Sequence, residues 1–337
     1  MSLDMPEPKM PEPKTPETAS DSPLFIVLNA ASGSEDAAEA RRVIEEGCAA
    51  AGRRLRIFVV DEPGRLQALA REAVERARAA GGVVVAAGGD GTINAVAQAT
   101  LGSGCAFGVL PQGTFNYFSR THGIPRDTAQ ALQILLTERP QPVQVGLVND
   151  RVFLVNASMG LYADLLEERE TYKSRFGRSR WIAFGAGLLT VLRGHRHWNL
   201  RMAWRGKEHD IRTPTLFVGN NPLQLHQVGI PEADAPEQGQ LAAIVLKPVG
   251  PLSMPGLLAR GALGRLGDAD EVLTFPFESL TVKARRALGP LGPRRVKVAT
   301  DGEIGWVDMP LLFRVAPERL WLVRPQETAP ELEAARE

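Results

Sequence analysis

Five consecutive residues, Gly88-Gly89-Asp90-Gly91-Thr92, carry the strongest chemical signal in the chain. They follow an all-apolar run, Val83 to Ala87, and a helical pattern begins just after them. Residues without side chains let backbone N–H groups converge on an anion, and a helix N-terminus adds a favourable dipole. This is the chemistry of phosphate binding. Asp90, a carboxylate between glycines, could hold Mg²⁺ against phosphates. The plainer reading of the same residues is a tight turn with Thr92 as a helix cap. No Gly-Lys-Ser/Thr follows, so the loop is not a Walker A element, and Gly-x-Gly-x-x-Gly does not fit either. A second polar loop, Pro111-Gln112-Gly113-Thr114-Phe115-Asn116, follows the next apolar run. A third, Asn29-Ala30-Ala31-Ser32-Gly33, follows the first, and there Ser32 could serve only as a cap. Ligands of open α/β sheets bind at the carboxyl edge of the strands, and three Gly-containing loops at one such edge suit a shared pocket. Asp61 could reach a ribose hydroxyl, but a helix cap or a surface acid explains it more simply.

The elements that would position these loops alternate regularly. Strands are expected at Leu24 to Leu28, Arg54 to Val60, Val83 to Ala87 and Ala106 to Leu110. Helices are expected at Glu35 to Ala51, Leu66 to Ala80 and Ile93 to Leu101. Strands that are apolar throughout are those of parallel sheets covered on both faces. The first unit, residues 23–142, is therefore an α/β domain with a parallel sheet. Beyond Pro142 short alternating runs dominate: Val143 to Val148, Arg151 to Asn156, Leu200 to Trp204, Thr215 to Gly219, Leu241 to Leu246, Leu280 to Ala284, Val296 to Ala299 and Leu311 to Val315. They predict a second unit, residues 143–325, that is an antiparallel β-sandwich. Helical patterns interrupt it at about Ala163 to Leu192 and Ser253 to Leu266. Residues 1–22 hold a tandem Met-Pro-Glu-Pro-Lys repeat with little to bury, which predicts a disordered tail. Residues 326–337 form an acidic tail or a frayed helix.

Composition limits the function classes. The 337 residues are 44% hydrophobic and 23% charged, with 39 basic and 39 acidic side chains. A formal charge of zero gives no global basic field, which argues against nucleic acid as a partner. Two cysteines, Cys48 and Cys105, cannot build a disulfide framework or a usual zinc site. They suit a reducing cytoplasm as small buried apolar residues. No secretion signal is legible at the N-terminus, and the run Trp181 to Leu192 is shorter than the ~20 residues a spanning helix needs.

Taken together, the motifs resemble the diacylglycerol kinase catalytic-domain family, which includes bacterial lipid kinases and sphingosine kinases. The resemblance runs from about Leu24 to Pro325. Gly88 to Thr92 is similar to the family's Gly-Gly-Asp-Gly-Thr element, and Asn29 to Gly33 to its Asn-Pro-x-Ser-Gly loop, with Ala30 in place of proline. Gly113-Thr114-Phe115-Asn116 resembles its Gly-Thr-x-Asn loop, Asn156 to Gly160 its Asn-x-x-Ser-x-Gly turn, and Asp301-Gly302-Glu303 its Asp-Gly-Glu element. Gly-Gly-Asp-Gly alone is shared with NAD kinases and phosphofructokinases, so the specificity lies in the combination.

The resemblance implies a two-domain fold like that of NAD and diacylglycerol kinases, with ATP in the cleft and its γ-phosphoryl passed to a lipid hydroxyl. The implied nucleotide-binding residues are Asn29, Ser32, Gly33, Gly88, Gly89, Asp90, Gly91, Thr92, Asn94, Gly113, Thr114 and Asn116. Glu303 is the implied proton acceptor, and Asp90 would position Mg²⁺ and phosphate. Taken alone, Asp301-Gly302 also suits a hairpin turn that leaves Glu303 on the surface. Two departures stand out. Tyr117 occupies a position where the family often has Asp, and a phenol does not neutralise Mg²⁺ as a carboxylate does. Gln238-Gly239-Gln240-Leu241 stands where many members carry Asp-Gly-x-Leu, so the structural Mg²⁺ site is expected to be absent or altered; Glu237 would point elsewhere in a strand.

A lipid kinase must reach a bilayer. Lys173, Arg175, Arg178 and Arg180 are interleaved with Phe176 and Trp181, and Arg193, His195, Arg196, His197 and Trp198 follow the apolar stretch. This suits peripheral contact with an anionic membrane surface, or equally a helix packed on the β domain with a solvated basic face. Arg285, Arg286, Arg294 and Arg295 flank a Gly/Pro-rich loop and read as a mobile basic loop. A strand edge could support a homodimer. Two other functions stay open: a soluble-substrate kinase such as NAD kinase, and a catalytically degenerate nucleotide- or lipid-binding protein. Glu303 pointing away from Gly88 to Thr92 would favour the last.

Overall fold

The computed structural model describes Pro16 and residues 21–30, 34–160, 197–248, 254–285 and 294–326. Ser32 and Gly33, the segment 173–196 and residues 286–293 lie outside these, and with them the expectations placed there.

The first half runs β1 (Leu24–Asn29), α1 (Ser34–Ala50), β2 (Leu55–Val60), α2 (Leu66–Ala80), β3 (Val83–Gly88), α3 (Asp90–Thr100), β4 (Ala106–Pro111), α4 (Tyr117–Thr121), α5 (Thr128–Thr137) and β5 (Pro140–Val143). The second continues with β6 (Gly146–Val148), β7 (Arg151–Phe153), β8 (Asn156–Gly160), β9 (Trp198–Trp204), β10 (Lys207–Thr213), β11 (Thr215–Gly219), α6 (Pro222–Val228), β12 (Leu241–Leu246), α7 (Met254–Ala262), β13 (Val272–Phe277) and β14 (Ser279–Arg285). It ends with β15 (Arg295–Thr300), β16 (Glu303–Asp308), β17 (Leu311–Val315) and β18 (Leu320–Val323).

Three six-stranded sheets result. The first has the order β2-β1-β3-β4-β18-β5, parallel except where β5 meets β18. Every residue of β3 and β4 is buried, as expected for strands covered on both faces. The expected helix after the glycine loop begins earlier, at Asp90, so Asp90, Gly91 and Thr92 form its first turn.

The other sheets are antiparallel, β10-β9-β14-β17-β6-β7 and β13-β12-β11-β8-β15-β16. One core joins them: Phe153, Met202, Val282 and Phe313 from the first of the pair pack with Met159, Val218, Leu241 and Val298 from the second. Burying such a side chain fully is worth ~1.5–3 kcal/mol, so this shared core holds the sandwich together. The open edge of β16 is guarded. Trp306 O accepts from Arg151 Nη2 at 3.1 Å and Arg295 Nη2 at 3.4 Å, which obstructs addition of another strand there.

The chain returns to its first layer at the end. Strand β18 lies inside the span expected for the second unit, yet it completes the first sheet between β4 and β5. Leu320, Leu322 and Val323 accordingly sit in the first core. After β18, Arg324 bonds Gln141 at 3.1 Å and places Nη1 3.5 Å from His122 Nδ1. Burial, reinforced by the Arg324 charge, holds the His122 imidazole down to about 3 from its ordinary 6.5. The folded protein thus keeps His122 neutral while the unfolded chain takes up a proton below pH 6.5. Stability should be complete above that pH and fall with acidification, by up to about 1.4 kcal/mol per pH unit, until the folded group itself titrates. Denaturant unfolding at pH 6.5 and pH 5 should show up to about 2 kcal/mol of loss that is missing in His122→Gln. Equal losses in both proteins would remove His122 from this role.

Candidate active site

The phosphate-type loop is built from its helix. Gly89 caps α3 in extended backbone and offers no side chain, while Ile93 N–H bonds Gly89 O at 3.0 Å. The N–H groups of Gly91 and Thr92 have no carbonyl one turn earlier to bond, so they point out of the first turn, while the Asp90 N–H turns to its own carboxylate. Thr92 is buried beneath the loop, and its Oγ1 accepts from Asn29 Nδ2 at 2.9 Å, which ties the β1 loop to the β3 loop.

The β4 loop closes against the β3 loop at two glycines. A Cβ on Gly113 would stand 3.0 Å from Gly89 Cα and 2.7 Å from Asn116 Oδ1, so the backbones approach as closely as they do because Gly113 lacks a side chain, whereas a Cβ on Gly89 would meet Gly113 Cα at an ordinary 3.5 Å. Asn116 takes the left-handed conformation, with φ of 48°. Its amide is turned inward: Oδ1 accepts from Gly113 N at 3.0 Å, and Nδ2 donates to Gly113 O at 2.9 Å. Its side chain therefore staples its own loop, and its backbone N–H donates to Asp90 Oδ2 at 3.2 Å. Thr114 is exposed at the tip.

Asp90 is the central acid. Burial raises its pKa, opposed by backbone N–H donors of Asn116, Asp90 and Tyr117. Its Oδ1 is buried with no hydrogen-bond partner among the described residues. An orphaned carboxylate oxygen beside the first-turn N–H groups of Gly91 and Thr92 suits a cation carried in with phosphates. Among the described residues no group of three or more His, Cys, Asp or Glu is placed to hold a metal.

The second domain adds its acids through the β15–β16 hairpin. Asp301, at φ of 50°, points its carboxylate inward. It accepts from three successive backbone N–H groups, Leu154 at 2.7 Å, Val155 at 2.8 Å and Asn156 at 2.9 Å. A fourth donor is Asn94 Nδ2 at 2.7 Å, from the helix that carries the glycine loop. Burial raises the Asp301 pKa against the pull of these donors. Asn94 also donates to Val152 O at 3.0 Å, and Gln98, one turn on, bonds Val152 N at 2.7 Å and Asp150 O at 3.1 Å. Asn94, expected with the nucleotide, thus has its amide nitrogen engaged between α3, the Asp301 turn and β7.

This clamp brings Glu303 to the loop. A Cβ built on Gly91 would lie 2.7 Å from Glu303 Oε1. An exposed carboxylate that is distant in sequence thus rests against the first turn of α3, beside Asp90.

A second bridge, missed by the sequence reading, lies on the far side of the β4 loop. Tyr117 Oη donates to Gln227 Oε1 at 3.2 Å, and Asn221 Nδ2 donates to Thr121 Oγ1 at 2.7 Å. Tyr117 is therefore a contact between domains, its ring stacked on Phe115. Asn221 caps α6 with Pro222 behind it, a legible start signal for that helix. Gln238 ends a 3-10 turn, Ala235–Gln238, so Glu237 lies in that exposed turn and not in a strand as expected. Asp61 is a surface acid paired with Arg65 at 3.3 Å, the simpler of its two readings. Arg285 and Arg295 are ion-paired with Asp210 and Asp308. Cys48 and Cys105 are buried, far from this chemistry in role.

Comparison with known proteins agrees with this layout. The family model "Diacylglycerol kinase catalytic domain" matches residues 23–148. A "Probable lipid kinase YegS-like" of Klebsiella pneumoniae (strain 342) is 37% identical over 117 residues, 34% of this chain and 39% of that protein. Its namesake in Pseudomonas aeruginosa (strain UCBPP-PA14) is 39% identical over 143 residues, 42% of this chain and 44% of that one. The matched segment thus spans less than half the length of these curated relatives. A diacylglycerol kinase from Bacillus anthracis str. Sterne superimposes with a TM-score of 0.63 at 18% identity, over 90% of this chain and 97% of that one. That likeness extends the shared fold across both domains.

Proposed function

We propose that the protein, whose residues 23–148 match the model of the diacylglycerol kinase catalytic domain, is an ATP-dependent lipid kinase that transfers the γ-phosphoryl group to a lipid hydroxyl. The observation that carries the reading is Glu303 lying against Gly91, which supplies a proton acceptor beside a phosphate-type loop. A degenerate binding protein would have no need of that placement. The relatives' printed names, lipid kinase and diacylglycerol kinase, support a lipid acceptor.

In this reading the N–H groups of Gly91 and Thr92 face the nucleotide phosphates, with Asn29 at one side and Gly113 and Thr114 at the other. Asn116 and Asn94 act one step removed, by holding the loops. Mg²⁺ bound with ATP would neutralise developing phosphate charge, and Asp90 Oδ1 is the oxygen that would hold it. Glu303 accepts the proton of the attacking hydroxyl. Gly91 leaves room for that carboxylate, and the Asp301 clamp fixes its approach. Orientation of this kind supplies much of the barrier reduction in phosphoryl transfer, because the protein does little covalent chemistry there. No helix among the described residues is long and apolar enough to cross a membrane.

The test is transfer of labelled γ-phosphate from ATP–Mg²⁺ to a panel of lipids in mixed micelles, with NAD as a soluble acceptor alongside. Label in one lipid class is the expected result and names the acceptor. Label confined to NAD would overturn the lipid assignment, and ATP binding without transfer to any acceptor would overturn the kinase assignment.

A further inference from the structure

Between β11 and α6 the chain turns on two asparagines, Asn220 and Asn221, which are 6% and 2% exposed, so their amides must find partners inside the protein. Asn220 takes the carbonyls of the connection whose N–H groups Asp301 takes. Its N–H donates to Val155 O at 2.8 Å, and its Nδ2 donates to Leu154 O at 3.0 Å. Asn156 O in turn accepts from Asp301 N–H at 2.9 Å. Every backbone donor and acceptor of Leu154, Val155 and Asn156 is thus held by Asp301 or Asn220. The Asn220 amide is itself oriented. Its Oδ1 accepts from Gln144 Nε2 at 2.9 Å, and its Nδ2 lies 3.4 Å from Gln144 O as a second acceptor. Asn221 bonds α4 instead, through Thr121 Oγ1 at 2.7 Å and Tyr117 O at 3.4 Å. That helix begins directly after Asn116. Helix α6 then returns to the connection, where Gln224 Oε1 accepts from Asn156 Nδ2 at 2.9 Å.

We propose that Asn220 is a positioning residue for the transfer step: it holds the connection against which the Asp301 turn, and with it Glu303, is set. Its effect on rate rests on the kinase reading; its hold on the turn rests on the hydrogen bonds alone. An amide is the group this place requires, because it donates to carbonyls on one side while accepting from Gln144 on the other. Asn220→Asp has nearly the same shape but turns a carboxylate oxygen toward Leu154 O and Gln144 O, which have no proton to give. The connection must then shift, and the Asp301 carboxylate that bonds its N–H groups shifts with it. No hydrogen bond of Asn220 reaches the Gly88 to Thr92 loop or the β4 loop, so the phosphate-type loops keep their geometry.

The experiment measures steady-state transfer and amide hydrogen exchange on the full chain. Asn220→Asp should lower kcat about tenfold or more with the KM for ATP unchanged, on the scale set by small misplacements of a reacting group. The double variant with Glu303→Gln separates positioning from general loosening. A residue that acts through Glu303 adds no further loss once that carboxylate is gone, whereas independent damage multiplies the two losses. Exchange reads the turn without turnover: the Asp301 amide should exchange about tenfold faster in Asn220→Asp, while that of Ile93, bonded to Gly89 O, is unchanged. Gln144→Ala frees the Asn220 amide without altering it; it should show the same pattern more weakly, and it carries the test if Asn220→Asp does not fold. Multiplied losses, a raised KM for ATP at full kcat, or unchanged exchange at Asp301 would overturn the proposal. A wild type that transfers no phosphate would strike the kinase reading alone, and exchange at Asp301 would still decide whether Asn220 holds the turn.

Discussion

Glu303→Gln should lower turnover by about 10²- to 10⁴-fold while leaving the fold and ATP affinity unchanged. The side chain is exposed on a hairpin strand and forms no ion pair among the described residues, so the amide costs the fold little. What is lost is the capacity to accept a proton beside the phosphate-type loop. A companion substitution separates position from charge. Gly91→Ala leaves Glu303 intact but places a methyl 2.7 Å from where Oε1 now rests. The carboxylate is the far end of a flexible side chain and can move aside. Alanine in the first turn of α3 is a better helix residue than glycine by up to about 1 kcal/mol. Gly91→Ala should therefore be as stable as the wild type or more so, and slower by about 10²-fold, the scale of a misplacement near 1 Å. Steady-state transfer and thermal melts on the three proteins check both outcomes. Full turnover in Glu303→Gln would remove it as the base. A raised KM for ATP with turnover retained would make it a nucleotide contact instead.

These substitutions also show what could be read in the sequence. Strands β1, β3 and β4 were legible because strands buried on both faces must be apolar throughout. The glycine loops were legible because few other residues permit the approach of Gly113 to Gly89. The direction of an amide was not. Asn94 and Asn116 have the composition of ligand-binding residues, yet one bonds Asp301 and the other its own loop. Residue type sets what a side chain can donate, and the tertiary fold sets where. Strand β18 was hidden for a related reason. Four apolar residues announce a strand, but not that it leaves the sandwich to pair with β4. Glu303 was reached only through the family resemblance, since Asp-Gly before it suits any tight hairpin.

Asp301→Ala should cost about 3–5 kcal/mol, the largest stability effect of any change at the site. The carboxylate receives four donors: the backbone N–H groups of Leu154 and Val155 in the β7–β8 connection, that of Asn156 at the start of β8, and the Asn94 amide. Alanine leaves the three backbone N–H groups without this acceptor, and the Asn94 amide keeps only its bond to Val152 O. Asp301→Asn keeps one acceptor oxygen but turns an NH₂ toward a donor, so an intermediate loss is expected. Two packed domains need not unfold in one step, which makes a single melting temperature a poor readout. Amide hydrogen exchange at Leu154, Val155 and Asn156 is the direct measurement. These amides should exchange markedly faster in Asp301→Ala, and Asn94→Ala should accelerate them less, because it removes one donor and leaves the carboxylate in place. Turnover should fall along with protection, since the same turn carries Glu303 to Gly91. Unchanged protection with full activity would mean that the hairpin is held by the β8–β15 pairing alone, which joins Val298 to Met159 and Thr300 to Ala157. That pairing fixes the strand but ends at Thr300, one residue before the turn. The Asp301 N–H carries the attachment one residue further, to Asn156 O at 2.9 Å, and the four bonds to the Asp301 carboxylate then anchor the turn itself beside the acid.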